Sequence, residues 1–166
     1  MVVNFIAGGM FAVGSSLIGM AARRHYRQRL EIYSELCAFI NLLKSEISFL
    51  KTPVGGVIDE FCQGKNGVFH AALKKYNEDL KKGAPQNQCA ENLELSPLKT
   101  GEKKEISKFL CSLGKLPQKE QLNELECYGA KFSVLQKKSE EECKRLGGMY
   151  LKLCVLLGIA LMIIVL

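Results

Sequence analysis

The spacing of apolar positions predicts an all-helical chain. In two long stretches the apolar residues recur mostly three or four positions apart, which is the spacing of one face of an α-helix. The first stripe consists of Tyr26, Tyr33, Leu36, Ile40, Leu43, Ile47 and Leu50. The second consists of Leu125, Tyr128, Phe132, Leu135, Ser139, Cys143, Leu146, Tyr150 and Leu153. No glycine or proline interrupts Ala21–Lys51, so one helix is predicted to run through it.

Shorter helices are predicted between the two long stretches, because glycines and prolines divide this part of the chain. The predicted helices are Pro53–Cys62, Val68–Lys82, Pro85–Leu93 and Thr100–Leu113. Gly83 and Gly114 are expected to end helices, and Thr100 is expected to cap one. Pro117 suits the first turn of the second long helix, which is predicted to begin at Gln118. No convincing strand pattern and no internal repeat is found in the sequence.

The two long stretches match in length. Arg23–Lys51 and Gln118–Leu146 each hold 29 residues, or about 43 Å of helix at 1.5 Å per residue. We therefore expect an antiparallel hairpin, in which the corner after the first helix lies beside the corner before the second. The residues expected at this partner-facing tip are Lys51, Thr52, Pro53, Gly114, Lys115 and Pro117.

Both ends of the chain are apolar and are predicted to be transmembrane helices. Val2–Ala22 holds no charge, and about 20 such residues span a bilayer. Its basic cluster follows it, which favours an uncleaved anchor over a signal peptide. The last segment is shorter and needs Lys152 to snorkel toward the interface. Buried core helices are the alternative. Small residues that would let membrane helices pack closely are Gly8, Ala12, Ser15, Gly19 and Gly158.

The net charge of +6 is concentrated beside these apolar ends. The residues that set the predicted topology are Arg23, Arg24, Arg27, Arg29, Lys144 and Arg145. With Lys152 set aside as well, 16 basic residues face 17 acidic ones, so the rest is about neutral and nucleic-acid binding is not predicted. Positive charge marks the cytoplasmic side. The sequence thus predicts a transmembrane anchor at 1–22, a cytosolic helical bundle at 23–147 and a C-terminal transmembrane helix at 148–166.

No motif predicts an enzyme, a cofactor or a metal. The seven cysteines are widely spaced, odd in number and without a C-x-x-C pair, so they indicate neither a zinc site nor a disulfide framework. We expect them to behave as small buried apolar residues. His25 lies among arginines, and His70 lies beside an apolar stripe, where a structural role is favoured. A catalytic site around His70 is the weakest alternative, and no catalytic, cofactor-binding or metal-binding residue is assigned.

Three motifs carry a resemblance to a known family. They are the run LLKSEISFLKTPV at Leu42–Val54, the helix end FLCSLG at Phe109–Gly114 with Gln121 after it, and the closing segment from Leu146. In order and spacing the chain resembles the stage III sporulation protein AB family of endospore-forming bacteria, over nearly its whole length. That family is in turn similar to the cytosolic domain of type II secretion F proteins.

The resemblance implies a non-enzymatic platform in the mother-cell-facing membrane around the forespore. It would be an oligomeric part of the channel complex, contacting other channel subunits and a cytosolic secretion-type ATPase, stage III sporulation protein AA. The chain departs from the family pattern at Lys115–Pro117, where an acidic residue is expected, and at Gly55 and Gly56, where larger residues are expected. The two apolar stripes alone would also suit a membrane-tethered coiled-coil scaffold or sensor dimer.

Overall fold

The computed structural model describes the backbone at residues 2–49 and 53–165. Within these ranges, it leaves undescribed the side chains at 2–13, 15, 16, 18, 22, 49, 147, 150, 151, 154, 158, 161, 162, 164 and 165. The helices are α1 (Val2–Phe49), α2 (Val54–Cys62), α3 (Val68–Lys81), α4 (Gln86–Glu91), α5 (Thr100–Ser112) and α6 (Gln118–Val165). No strand occurs in the described ranges. The predicted all-helical fold is therefore confirmed.

Glycines end two of the helices, as the sequence predicts. Gly83 follows α3 with φ +85°, and Gly114 follows α5 with φ +75°. Residues that carry a Cβ are strained in this left-handed region, whereas glycine is not. Glycine at these two positions therefore lets the chain leave the helix sharply.

The predicted cap of α5 is wrong. Thr100 is the first residue of the helix, and the N-cap position belongs to Lys99. The backbone N–H of Lys99 donates to Glu102 Oε2 at 3.0 Å. A carboxylate in the first turn also interacts favourably with the helix dipole, so Glu102 stabilises this end without a hydroxyl cap.

The chain divides into two compact units. One comprises 31–136, and the other comprises 1–30 together with 137–166. Within 31–136, α1 and α6 run antiparallel. Gln118 Nε2, at the start of α6, donates to the Ile47 carbonyl at 2.8 Å near the end of α1. Further along α6, a Cβ on Gly129 would lie 3.5 Å from Ile40 Cγ2.

Two aromatic clusters build the core of the 31–136 unit. Phe39 of α1 lies 5.1 Å from Phe61 of α2 and 6.3 Å from Phe69 of α3, between ring centroids. Phe109 of α5 meets Phe132 of α6 at 5.9 Å. The predicted α1 stripe packs into this core through Tyr33, Leu36, Ile40 and Leu43, all of them buried. Burial of this apolar surface is what drives the helices together.

An ion pair joins α1 to α6 within the other unit. Arg29 Nη1 donates to Glu142 Oε2 at 2.7 Å, and both side chains are mostly shielded from solvent. Large apolar side chains elsewhere in this unit are exposed. They are Leu17, Met20, Met149, Leu153, Val155, Leu156, Leu157, Ile159 and Ile163.

Within the residues that the structure describes, no helix is both long and apolar enough to cross a membrane.

Of the six cysteines whose side chains the structure describes, one is buried as predicted. Cys89 is buried, and Cys37, Cys62, Cys111 and Cys143 are half-buried. Burial raises the pKa of the Cys37, Cys62 and Cys89 thiols, because the charged thiolate is poorly solvated there. Cys127 is exposed, which contradicts the expectation of a buried residue.

Candidate partner-binding cleft

A cleft of about 740 Å³ opens where α2, α3 and the α5–α6 corner meet, within the 31–136 unit. We call it the tip cleft. Its lining residues are Ile47, Pro53, Val54, Gly55, Tyr76, Leu80, Gln86, Leu113, Gly114, Leu116, Gln118 and Gln121. None of them is charged. The site is therefore an apolar groove with a small number of uncharged polar groups, which is the usual make-up of a binding site.

The two predicted corners meet at this cleft. Pro53 and Gly114 both line it, and a Cβ on Gly114 would lie 3.8 Å from Val54 Cγ2. Lys115 and Pro117 are exposed beside the lining. Lys51 and Thr52, the other predicted tip residues, lie outside the described residues. The role of this set as a partner interface stays a prediction.

The floor of the cleft is a closed hydrogen-bond network. Tyr76 Oη donates to the Leu110 carbonyl at 3.1 Å. Gln86 Nε2 lies 2.8 Å from the Leu110 carbonyl, 3.2 Å from the Leu113 carbonyl and 3.2 Å from Tyr76 Oη. These contacts satisfy carbonyls at the end of α5, which have no partner within the helix. Burial raises the pKa of Tyr76, so the phenol stays protonated as a donor.

Gln121 supplies a polar group that the fold does not satisfy. The side chain is 4% exposed, and its Oε1 accepts a 3.0 Å hydrogen bond from the Gly114 N–H. That bond fixes which end of the amide faces the corner, so Nε2 is the free donor. Nε2 is buried and has no hydrogen-bond partner among the described residues. A buried donor without an acceptor is costly, so this atom is suited to a ligand's acceptor.

Gly55 is explained by the residue opposite it. Asn77 Nδ2 donates to the Gly55 carbonyl at 3.1 Å and to Asp59 Oδ1 at 2.8 Å. A Cβ on Gly55 would lie 3.2 Å from Asn77 Oδ1, closer than side chains normally approach. The departure from the family pattern at this position therefore accommodates Asn77 and keeps the α2 wall of the cleft close to α3.

Sequence reasoning missed several parts of this site. No binding role was predicted for Tyr76, Gln86 or Leu116. Gln121 entered only through the family resemblance. No local pattern could identify them, because their partners lie up to 34 residues away in the chain.

His70 lies in the core, away from the tip cleft. It is 4% exposed, and its ring stacks on Phe61 with centroids 4.9 Å apart. Its Nδ1 lies 3.0 Å from Glu35 Oε2, but without hydrogen-bond alignment. Burial lowers the pKa of His70, assisted by Lys65 and opposed by Glu31. Burial also raises the pKa of Glu35, with Glu31 adding to the rise and Lys65 opposing it. The site is a packed polar contact, as the favoured structural role implies.

The lowered pKa of His70 predicts that stability falls on acidification. Unfolding returns the imidazole to its ordinary pKa near 6.5, so the unfolded state binds the proton first. The contribution of neutral His70 to the free energy of unfolding is complete above that pKa. It is lost as the pH falls toward the folded-state pKa. Urea unfolding of the full chain at pH 7.5 and 5.5 should show this loss. The loss of stability should be smaller in His70→Gln. Protonation of Glu35 at low pH has the opposite, stabilising effect, and the Glu35→Gln variant measures that effect separately. An equal loss in His70→Gln would contradict the assignment.

The predicted topology and packing residues have different environments. Arg23, Arg24, Arg27, Lys144 and Arg145 are exposed, whereas Arg29 is buried in its pair with Glu142. Their role in topology stays a prediction.

Gly19 is buried. The side-chain positions of Gly8, Ala12, Ser15 and Gly158, the other predicted membrane-packing residues, lie outside the described residues. Packing of membrane helices at these positions stays a prediction.

Comparison with known proteins gives one match. The family model described as stage III sporulation protein AB matches residues 4–166. No curated protein matches the chain, and no solved structure does.

Proposed function

The chain belongs to the stage III sporulation protein AB family, and from this premise we propose that it is a non-enzymatic membrane platform for a sporulation channel complex. In this proposal the start of α1 and the end of α6 lie in the mother-cell-facing membrane around the forespore. The 31–136 unit faces the cytosol and contacts a secretion-type ATPase. The tip cleft is the single observation that supports the proposed contact with the ATPase. It offers a partner an apolar groove and a hydrogen-bond donor without an acceptor.

Exposed apolar side chains on α6 support the membrane part of the proposal. Leu156, Leu157 and Ile159 are 63%, 59% and 48% exposed. Neighbouring positions on a helix point about 100° apart, so these side chains cover more than one face. Apolar surface on several faces favours contact with lipid or with other subunits over contact with water. Exposed Lys144 and Arg145 precede it along the helix and suit the lipid headgroups.

The coiled-coil dimer is less well supported. Its interface would need the α1 stripe, but Tyr33, Leu36 and Leu43 are each 0% exposed within a single chain. These side chains already pack into the chain's own core. A dimer through them would require that core to open, at the cost of its buried apolar surface.

The proposal is tested by deleting the gene from its spore-forming host. We expect development to stop after engulfment and heat-resistant spores to fall to background, with recovery when the chain is supplied again. In the same cells, the chain should stay in the membrane fraction after an alkaline carbonate wash. Normal spore counts would refute the role in sporulation, whereas release by the wash would refute only the membrane anchors.

A further inference from the structure

The tip cleft has one unmet chemical requirement. Tyr76 and Gln86 in its floor bond to the α5 carbonyls and to each other, and Gln118 bonds to the Ile47 carbonyl. Gln121 Nε2 alone among the buried side-chain atoms of the lining has no described partner. A complementary ligand must therefore bring a hydrogen-bond acceptor to this point.

The walls define the rest of the ligand. Val54, Leu80 and Leu113 are apolar, and Leu116 extends the wall outward with 43% of its surface exposed. No charged side chain lines the cleft. The buried part of a ligand must then be apolar and neutral, because a charge placed there would lose its water without gaining a partner.

The charged residues at the rim of the cleft further restrict the kind of ligand that fits. Lys115 and Lys119 are exposed on the same corner, against one exposed acid, Glu120. The C-terminal turn of an α-helix combines the required properties. Its last four carbonyls lack intrahelical partners, and the helix dipole gives that end a partial negative charge. A leucine-sized side chain on the same turn would fill the apolar walls.

We propose that the tip cleft binds the C-terminal turn of a helix from a partner protein, with an apolar side chain between Val54, Leu113 and Leu116 and a terminal carbonyl accepting from Gln121 Nε2. This deepens the proposed ATPase contact and rests on it only for the partner's identity. The binding chemistry follows from the cleft itself. An extended strand or an acidic loop would not combine free carbonyls with a favourable dipole in this way.

Two synthetic helical peptides test the site directly. Both are alanine-based, blocked at their ends and 18 residues long, and they differ in carrying one leucine in the last or in the first turn. The full chain is labelled with ¹⁵N-glutamine, and the Gln121 side-chain amide signal is assigned from its loss in Gln121→Glu. We expect the last-turn peptide to shift this signal saturably, with a Kd on the order of 1 mM. The first-turn peptide should leave it unchanged.

Matched variants tie the binding to the cleft. Leu116→Asp places a carboxylate on the wall of the cleft. It should weaken the binding of the last-turn peptide about 30-fold or more. Val134→Asp makes the same change at a more exposed apolar position on α6, outside the cleft, and should have no effect. Gln121→Glu keeps the acceptor for the Gly114 N–H but removes the amide donor, and should weaken binding about tenfold. Binding to this variant is followed on the side-chain amide signals of Gln86 and Gln118, which line the same cleft. Unchanged unfolding midpoints show that each variant is folded.

Every outcome decides between the two proposals. Equal binding of the two peptides, no shift by either, or full binding to Leu116→Asp would overturn the helix-end site. Binding of purified stage III sporulation protein AA to the full chain is measured in parallel. If the ATPase fails to bind while the peptide does, the proposed ATPase contact fails and the site stands. If the ATPase binds Leu116→Asp normally and the peptide does not bind wild type, the site fails and the contact stands.

Discussion

Replacing Phe39 with alanine should lower the free energy of unfolding by about 3–5 kcal/mol. Phe39 is fully buried and contacts the rings of Phe61 and Phe69, so it joins three helices at one point. Alanine removes the apolar surface and leaves a cavity that the surrounding rings cannot fill. Because small domains are stable by about 5–15 kcal/mol, the change would remove a large fraction of the total.

Urea unfolding of the full chain measures this effect. Val134→Ala is the matched control, because Val134 is 66% exposed on α6 and its loss should change stability by no more than about 0.5 kcal/mol. Phe39→Leu should fall between them, since it preserves most of the volume. Equal unfolding midpoints for Phe39→Ala and Val134→Ala would show that this aromatic cluster does not hold the unit together.

Replacing Arg29 with methionine should cost about 2–3 kcal/mol in the unit that contains it. The guanidinium donates to Glu142 at 2.7 Å, and the two side chains are 10% and 23% exposed. Removing one partner leaves the other charge in a poorly solvated place, which costs more than the pair itself contributes. The partial exposure of Glu142 keeps the cost below that of a fully buried pair.

A second pair on α6 provides the control for this effect. Lys144 Nζ lies 2.7 Å from Glu140 Oε1, but both groups are largely exposed, so Lys144→Met should change little. The double variant Arg29→Met with Glu142→Leu should recover most of the lost stability, because it removes both charges. Failure of the double variant to recover, with Arg29→Met destabilised, would show that the loss does not come from the pair with Glu142.

The helices were predictable because local chemistry decides where they begin and end. Gly83 and Gly114 adopt the left-handed conformation that glycine favours, and both stops were predicted. The N-cap of α5 was not, because Thr100 is a better cap by type. The Glu102 carboxylate reaching back to the Lys99 N–H decides the position. Such a contact depends on which of two plausible neighbours fits the turn.

The candidate site was predictable only in position. Equal lengths of the two long helices placed the corners together, and Pro53 and Gly114 do line one cleft. The chemistry of the cleft could not be obtained from the sequence. Gln121 is one of several glutamines near the corner, and only its bond to the Gly114 N–H shows which end of the amide remains without a partner. Arg29 is similarly set apart from its neighbouring arginines by its bond to Glu142, a residue 113 positions away.

The smallest helix has a consequence for when the cleft exists. A helix of six residues has almost no stability of its own in water, so α4 depends on contacts with the rest of the fold. It is held by Gln86, which bonds to carbonyls at the far end of α5. The cleft floor therefore depends on a long-range contact, and fraying of the last turn of α5 would remove the carbonyls that hold it. A ligand that occupies the cleft should therefore also slow amide hydrogen exchange in α4, because both depend on the same local unfolding equilibrium.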